Sequence, residues 1–366
     1  MKKVSEGKVS FFAPIEKVIS AAMPVFYNPI MHTNRDIAVA LLTAIGRKGM
    51  FIADPLAGSG VRSLRFLKEL PRGTIKTLYA NDGNPKFPLL FKKQLKLNNI
   101  PAKNVIVSQK DASGFLLEHN GFDYIEIDPF GSPNQFLDAA CKRLSRDGIL
   151  AVTATDTGAL AGSFPDACRR KYWAEPLRNE LMHEIGVRIL IRKVQLIGMQ
   201  YDKALIPLFS HATDHYDRIY LQSEKSKSYV QRICAQHGYV LYCERCMSHS
   251  VSKHNLAVCC KQNMRAAGPL WLGALWNHAL VTKMKPHTEG QTRKLLDIIH
   301  GESHLAIVGF TDIHKLCKHL KCVVPKFDTI IMALKKKGYV AARTHFCDTG
   351  LRTDAPIDVV KKLLKN

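Results

Sequence analysis

Between residues 50 and 154 the chain repeats one pattern: a short apolar run, an acidic or amide residue near its end, then a stretch with helical spacing. Gly49 to Asp54, Ile75 to Ala80, Val105 to Val107, Phe122 to Ile127 and Gly148 to Thr153 read as strands. Helices are expected over about 60–70, 86–98 and 133–144. Strands alternating with helices of this length specify βαβ units and a parallel sheet. The expected fold class is therefore α/β, a doubly wound Rossmann-like domain. Arg192–Gln200 and Arg218–Leu221 read as further strands at one edge.

The character changes near residue 222. Residues 223–265 are polar, rich in Ser and Lys, and hold five of the ten cysteines. Three short helices are expected at about 291–300, 311–320 and 326–337, followed by a strand at Tyr339–Arg343, an order that suits a small helical or winged-helix-like module. The division is thus 1–222 for the α/β domain and 223–366 for a smaller α+β domain.

Composition narrows the function. No apolar stretch reaches the roughly 18 residues a membrane span needs. Lys2 and Lys3 make the start basic, but Glu16 and Lys17 interrupt any signal-peptide core. A soluble, cytoplasmic protein is expected, with no membrane partner and no obligatory protein partner. Ten cysteines in 366 residues are too few for a disulfide scaffold and suit thiols or metal ligands. The formal net charge is +22. Residues 1–100 carry 16 basic against 6 acidic side chains, 101–250 carry 18 against 17, and 251–366 carry 19 against 8. Two basic ends around a neutral middle favour a polyanion, above all nucleic acid.

The chemistry-bearing residues sit where the strands stop. Asp54-Pro-Leu-Ala-Gly58-Ser-Gly60 joins the first strand to a helix, and glycines there allow a tight turn and close approach to a ligand. Asp82 ends the second strand, where a carboxylate can accept ribose hydroxyls; alone it would be a helix cap. The third glycine of a dinucleotide fingerprint is replaced by Ser63. Asp54 before the glycines and Arg62 after them instead suit a cofactor with an amino-acid tail, a carboxylate for its ammonium and an arginine for its carboxylate. S-adenosylmethionine fits better than NAD. Asp111-Ala112 stands where an adenine amino group would be read.

The most specific motif is Asp128-Pro129-Phe130-Gly131 at the end of the fourth strand. It resembles the Asp/Asn-Pro-Pro-aromatic tetrad of enzymes that methylate exocyclic amines. Such an amine is a poor nucleophile, because its lone pair is delocalised into the ring. A carboxylate and a backbone carbonyl accepting its N–H bonds localise that pair and aim it at a methyl donor. Phe130 would stack on the base, which must leave its helix to enter.

Longer blocks carry a family resemblance: Val25-Phe-Tyr-Asn28-Pro-Ile-Met-His-Thr-Asn34-Arg35-Asp36, Thr153-Ala-Thr-Asp156-Thr, Glu180-Leu-Met-His183-Glu184-Ile-Gly186-Val-Arg188, Gly268-Pro269-Leu270-Trp271-Leu-Gly273, and Arg343-Thr344-His345 with Thr353-Asp354-Ala-Pro356. In this order they resemble the tRNA guanine-N2 dimethyltransferases, over nearly the whole chain. The resemblance implies a Rossmann-like class I methyltransferase domain, S-adenosylmethionine as donor, tRNA as substrate and a guanosine at position 26 as target. It also implies Arg35, Arg62, Asp82, Asp111 and Ala112 as cofactor-binding positions, Asp128 as the catalytic carboxylate and Phe130 as the stacking ring. Asn34 and Asp36 flank the cofactor arginine and serve equally well as structural hydrogen-bonding residues.

The cysteines form a separate candidate. Cys243-x-x-Cys246 is half of a zinc-ribbon pattern, and the other half is the adjacent pair Cys259-Cys260. These four are the expected zinc ligands, with His249, His254 and Cys234 as alternatives to complete a tetrahedron. Lys315, Lys318, Lys321 and Lys335 to Lys337 are ordinary solvated faces that a tRNA substrate would turn into phosphate contacts. Two other readings remain open at this stage: an amino-methyltransferase for another RNA or for DNA, and a non-catalytic RNA-binding protein of the same fold.

Overall fold

The computed structural model describes residues 1–14 and 25–365, so Glu16 and Lys17 lie outside the described residues. The expected run of strands and helices folds as α1 (His32–Ile45), β3 (Met50–Asp54), α2 (Val61–Glu69), β4 (Ile75–Asn81), α3 (Phe87–Leu97), β5 (Val105–Ser108), α4 (Ala112–Leu117), β6 (Phe122–Ile127), α5 (Asn134–Arg143) and β7 (Leu144–Ala154). A hairpin of β1 (Lys2–Glu6) and β2 (Val9–Ala13) precedes them and packs on α2 and α3. After β7 come α6 (Thr157–Leu160), α7 (Pro165–Tyr172), α8 (Met182–Met199), β8 (Lys203–Thr213) and β9 (Tyr216–Lys225).

Among the described residues the central sheet has seven strands in the order β5-β4-β3-β6-β7-β9-β8. β3 to β7 are parallel, while β9 runs antiparallel to both β7 and β8. The chain winds outward from β3 through β4 to β5, then returns to lay β6 on the other side of β3. That reversal opens a crevice at the carboxyl ends of β3 and β6, where open α/β sheets bind ligands. This is the Rossmann-like methyltransferase sheet that the sequence implies. The inner strands β3 and β6 and Ile149–Ala154 of β7 are buried on both faces, which explains their largely apolar character, whereas β5 at the sheet edge is only partly covered.

One expected edge strand is corrected. Arg192–Gln200 belongs almost wholly to the long helix α8, not to the sheet. The helix lies between β8 and the strand Arg265–Trp271 and is buried nearly all round, including Lys193 and Gln195. Burial on every side removes the one-faced stripe that marks a helix in sequence. Arg218–Leu221 does form part of β9.

Beyond β9 the chain forms α9 (Lys227–Cys234), β10 (His237–Tyr242), β11 (His249–Ser252), a tiny hairpin of β12 (Val258–Cys259) and β13 (Gln262–Asn263), and β14 (Arg265–Trp271). β11, β10 and β14 make an antiparallel sheet, and β14 packs on α8. Then follow α10 (His278–Met284), α11 (Gly290–Glu302), β15 (Thr311–Asp312), α12 (Ile313–Leu320), α13 (Phe327–Lys336), β16 (Ala341–Thr344), β17 (Cys347–Thr353) and α14 (Ile357–Lys365). The small sheet runs β15-β17-β16, which with α11 to α13 gives winged-helix connectivity. No described helix is long and apolar enough to cross a membrane.

The terminal segments are bolted onto the α/β layer. Arg352 of β17 is fully buried and meets Glu184 of α8 (Nη2 to Oε2, 2.8 Å) and Glu302 of α11 (Nε to Oε2, 2.9 Å). Its remaining donors reach the carbonyls of Ile307 and Gly309. Arg188, one turn beyond Glu184, pairs with it and donates to the carbonyls of Trp271 and Gly273. His345 closes the other end on Glu302 at 2.5 Å. Burial works to raise the Glu184 pKa, yet the Arg352 and Arg188 guanidiniums outweigh it and hold the group down at about 2.

Candidate active site

The crevice between β3 and β6 is entered over a glycine turn. Gly58 and Gly60 have φ of 56° and 77°, the left-handed region that side chains avoid. A Cβ on Gly60 would lie 2.3 Å from the Phe91 ring, and one on Gly58 would lie 3.1 Å from the Phe26 carbonyl. No larger residue fits either place. The turn is held from the next strand, where Asp82 accepts the Gly58 N–H at 2.7 Å and the Asn84 N–H at 2.9 Å. Burial raises the Asp82 pKa against these two bonds. Its neighbour Asn81, wholly buried, donates to the carbonyls of Pro55 and Lys110 and so ties three loops together. Asn81 escaped notice in the sequence because an amide beside an aspartate at a strand end looks like an ordinary turn residue.

A cleft beside the turn is lined by Phe26, Asn28, Arg35, Asp54, Arg62 and Asp128, among others. The fold therefore brings four of the expected site residues into one place from positions 35, 54, 62 and 128. Asp54 is buried at the end of β3 and accepts a hydrogen bond from Ser63 Oγ at 2.7 Å. Burial pushes its pKa up to about 7, against the Ser63 bond and the nearby Arg62 charge. Arg35 also borders the cleft, but Glu6 holds its guanidinium through two 2.6 Å bonds, with a third to the Asn28 carbonyl. Glu6 lies in the amino-terminal hairpin, and nothing in its local sequence marks it as the partner of an arginine 29 residues away.

Arg62 is the centre of the cleft floor. Its Nη1 donates to Asn34 Oδ1 at 2.9 Å, its Nη2 to the Asp128 carboxylate, and its Nε lies 3.7 Å from Glu126. Glu126 is completely buried within β6 and takes bonds from Arg218 Nη2 at 2.9 Å and the Tyr124 hydroxyl at 2.6 Å. Burial opposes its charge, but the two guanidiniums prevail and its pKa is lowered. Arg218 reaches on to Thr153 Oγ1 at 2.8 Å. Asp128 is thus the outer end of a buried chain of charges, and its side chain keeps 19% of its surface open. Asn34 belongs to this network, whereas Asp36 bonds His32, Arg65 and Thr292 outside it.

Pro129 and Phe130 continue from Asp128 across the carboxyl edge. Phe130 is 45% exposed and meets Phe26 edge to face at 4.2 Å. The turn behind it is pinned by the Gly131 N–H on Thr155 Oγ1 (2.6 Å) and by Ser132 on the Tyr172 hydroxyl (3.2 Å). Asp111 and Ala112 stand at the end of β5 and do not line the cleft. There Asp111 is exposed and caps α4 through the Gly114 N–H at 2.8 Å, while Ala112 is buried.

The cysteines gather at a second place. The sulfurs of Cys243, Cys246, Cys259 and Cys260 all lie within 4.8 Å of one another. Cys246 and Cys259 are 3.6 Å apart, and Cys259 and Cys260 are 3.8 Å apart. Tetrahedral thiolates about 2.3 Å from a zinc ion would be separated by about 3.8 Å. The adjacent pair can converge because Cys260 and Lys261 take left-handed φ of 52° and 61° in the turn of the small hairpin. Cys234 lies instead against Met199, and His249 packs at Gly309.

Comparison with known proteins agrees with this geometry along the whole chain. The family model for N2,N2-dimethylguanosine tRNA methyltransferase matches residues 7–365. The tRNA (guanine(26)-N(2)/guanine(27)-N(2))-dimethyltransferase of Aquifex aeolicus is 37% identical, the alignment covering 100% of this chain and 96% of that one. The tRNA (guanine(26)-N(2))-dimethyltransferase of Pyrococcus furiosus is also 37% identical, over 99% and 98% of the two chains. Trm1 from Pyrococcus horikoshii, solved in complex with S-adenosyl-L-methionine, superimposes with a TM-score of 0.89 at 34% identity over the full length of both. With its parallel sheet, its glycine turn and its Asp-Pro-Phe-Gly edge, the chain belongs to the N2,N2-dimethylguanosine tRNA methyltransferase family.

Proposed function

We propose that this protein transfers methyl groups from S-adenosylmethionine to the exocyclic N2 of a guanosine in tRNA, at position 26, giving N2-methyl- and N2,N2-dimethylguanosine. The observation that carries the reading is Asp128: a carboxylate held from behind by Arg62, open in front, next to an exposed phenyl ring. The cleft suits the donor. A turn without side chains at Gly58 and Gly60 allows close approach, and Asp54 and Arg62 offer opposite charges to a zwitterionic tail. Asp54, Gly58, Gly60 and Arg62 would hold it at β3, Arg35 would close the cleft beside them, and Asp82, Asp111 and Ala112 would receive the adenosine beyond.

When bound, the cofactor supplies a methyl group activated by a positive sulfur. Every other part belongs to the chain. Phe130, backed by Phe26, stacks on the guanine that has left its helix. Asp128 accepts the N2–H bonds with the Pro129 backbone nearby, localises the nitrogen lone pair and takes up the proton released. Arg62, fixed between Asn34 and Glu126, sets the carboxylate's direction. No covalent enzyme intermediate is required.

In this reading residues 1–222 carry the transfer and 223–366 carry tRNA, with the basic ends of the chain clasping the RNA from both sides. Cys243, Cys246, Cys259 and Cys260 hold a structural zinc that stiffens a polar segment with little core of its own. The work is cytoplasmic and needs no obligatory protein partner. Labelled methyl transfer to unmodified tRNA, followed by mapping of the product nucleoside, tests the activity; Asp128→Ala should bind cofactor and lose about 10² to 10⁴-fold in transfer. Full activity of that variant removes the assignment. Metal analysis of the purified protein tests the zinc, and none above background rejects the cysteine site.

A further inference from the structure

A second groove lies on the molecule, about 580 Å³ in volume, where three separate stretches of chain converge. The loop before α8 contributes Arg178, the cysteine segment and its strands contribute Tyr242, Glu244 and Arg265, and α12 contributes Lys315 and Lys318. Four cations thus line the groove, two of them, Arg265 and Lys315, paired with the carboxylates of Glu244 and Glu180. One corner is rigidly built: Glu180 accepts the Tyr242 hydroxyl at 2.6 Å and the Lys315 ammonium at 2.5 Å, which places the ammonium 5.8 Å from the Tyr242 ring centre. Arg265 pairs with the exposed Glu244 at 2.9 Å. Arg178 and Lys318 are exposed and make no ion pair among the described residues.

Position links this groove to the cleft. Arg178 follows α7, whose last residue, Tyr172, hydrogen-bonds both Ser132, behind Phe130, and Asp156 at the end of β7. The intervening segment is fastened to β14 by the bridge between Glu175 and Gly268. A short, fastened stretch from Tyr172 to Arg178 therefore connects the two sites. A groove that joins a catalytic-layer loop, the cysteine segment and a winged-helix-like module is shaped for a long ligand that touches all three.

We propose that this groove binds the sugar-phosphate backbone of the substrate RNA at a distance from the target base, with Arg178 and Lys318 as the phosphate contacts. The proposal rests on the reading of the chain as a tRNA methyltransferase, and it adds a docking site outside the reaction cleft. Each phosphate neutralised by a protein cation releases counterions, so log affinity falls with log salt by about 0.7 to 0.9 per contact. Lys315 is held by Glu180, which offsets its charge, so it shapes the corner of the groove and is not counted as a phosphate contact.

The test measures binding of an unmodified tRNA transcript across a salt series. The Arg178→Ala/Lys318→Ala double variant should bind more weakly and show a salt slope smaller by about 1.5. Its cofactor affinity and its turnover at saturating tRNA should match the wild type. The control is Lys142→Ala/Arg146→Ala, which removes the same charge from exposed positions in the neutral middle of the chain, at the end of α5 and the start of β7. Slope and affinity unchanged in the groove variant would overturn the proposal. So would an equal loss in that control, which would make the effect one of total charge. A wild-type protein that neither binds nor methylates the transcript would instead fail the parent reading, before the groove is at issue.

Discussion

Two buried charge networks, built from the same residue types, serve opposite ends. Around Arg352 every donor finds an acceptor: Glu184, Glu302 and two backbone carbonyls enclose the guanidinium, and nothing in the set faces water. Around Arg62 the set is open, because Asp128 reaches the surface with 19% of its side chain exposed. Buried atoms without a hydrogen-bond partner among the described residues occur beside both sets, the Arg218 Nε behind Arg62 and the His345 Nε2 beside Glu302, so the open rim is what separates the two. A closed network fixes geometry and has no capacity left for a ligand. An open one leaves acceptor capacity at its rim.

The sharpest way to break this contrast is to remove one member of each network. Asp128→Ala should lower methyl transfer by about 10² to 10⁴-fold, the range of lost general-base and electrostatic assistance, with unfolding stability nearly unchanged. A large fall in stability would show that Asp128 is structural. Arg352→Met should do the reverse and cost about 3–5 kcal/mol in chemical denaturation, because Glu184 and Glu302 are left buried without their shared partner. Transfer by the fraction still folded should remain. If Arg352→Met leaves stability intact, the closed network is not a fastening.

Acid and base separate the two regions more gently. Glu184 is held at about 2, below its unfolded value near 4.3, so its contribution is complete above that value and is lost as pH falls toward 2. Asp54 is raised to about 7 from near 3.9, so its folded form is favoured below the unfolded value, and stability declines as pH rises between the two. Denaturation midpoints across pH should therefore show an acid limb flattened by Glu184→Gln and a neutral limb flattened by Asp54→Asn. If Asp54 receives the cofactor's ammonium, cofactor affinity should also rise with pH up to about 7, and Asp54→Asn should abolish that rise. The smallest expected effect is metal removal: chelation should weaken tRNA binding and leave cofactor binding unchanged. Equal loss of both would place the cysteine segment in the cleft's support.

What could be read from sequence follows the same division. Strands β3, β6 and β7 were legible because inner parallel strands buried on both faces are largely apolar runs, and β4 and β5 because short apolar stretches alternate there with helical spacing. The residues at their carboxyl ends, Asp54, Asp82 and Asp128, stood out as polar interruptions. The helices α11 to α13 were legible from their one-sided stripes. Helix α8 was not, since burial all round erases the stripe. Nor were Glu6, Glu126 and Arg218: a charge inside a strand reads as a solvent-facing residue until its partner, 92 residues away for Glu126 and Arg218, is brought against it. Cys260 is the intermediate case. The spacing pointed to the thiol, but only the left-handed turn at Cys260-Lys261 shows how neighbouring cysteines converge on one point.

The sealed cage around Arg352 also bears on how an RNA must behave on this surface. It clamps α8, α11 and β17 into one piece; α11 packs on α1, which bears Asn34 and Arg35 at the cleft, and α8 begins just after the loop of Arg178. If this piece keeps its shape when RNA binds, the cleft and the basic groove act as the jaws of a locked calliper. The deformation would then fall on the nucleic acid, which must unstack a purine and present it to a waiting edge. Discrimination between one transfer RNA and another then becomes a question of which molecule yields that purine most cheaply while its backbone spans the gauge.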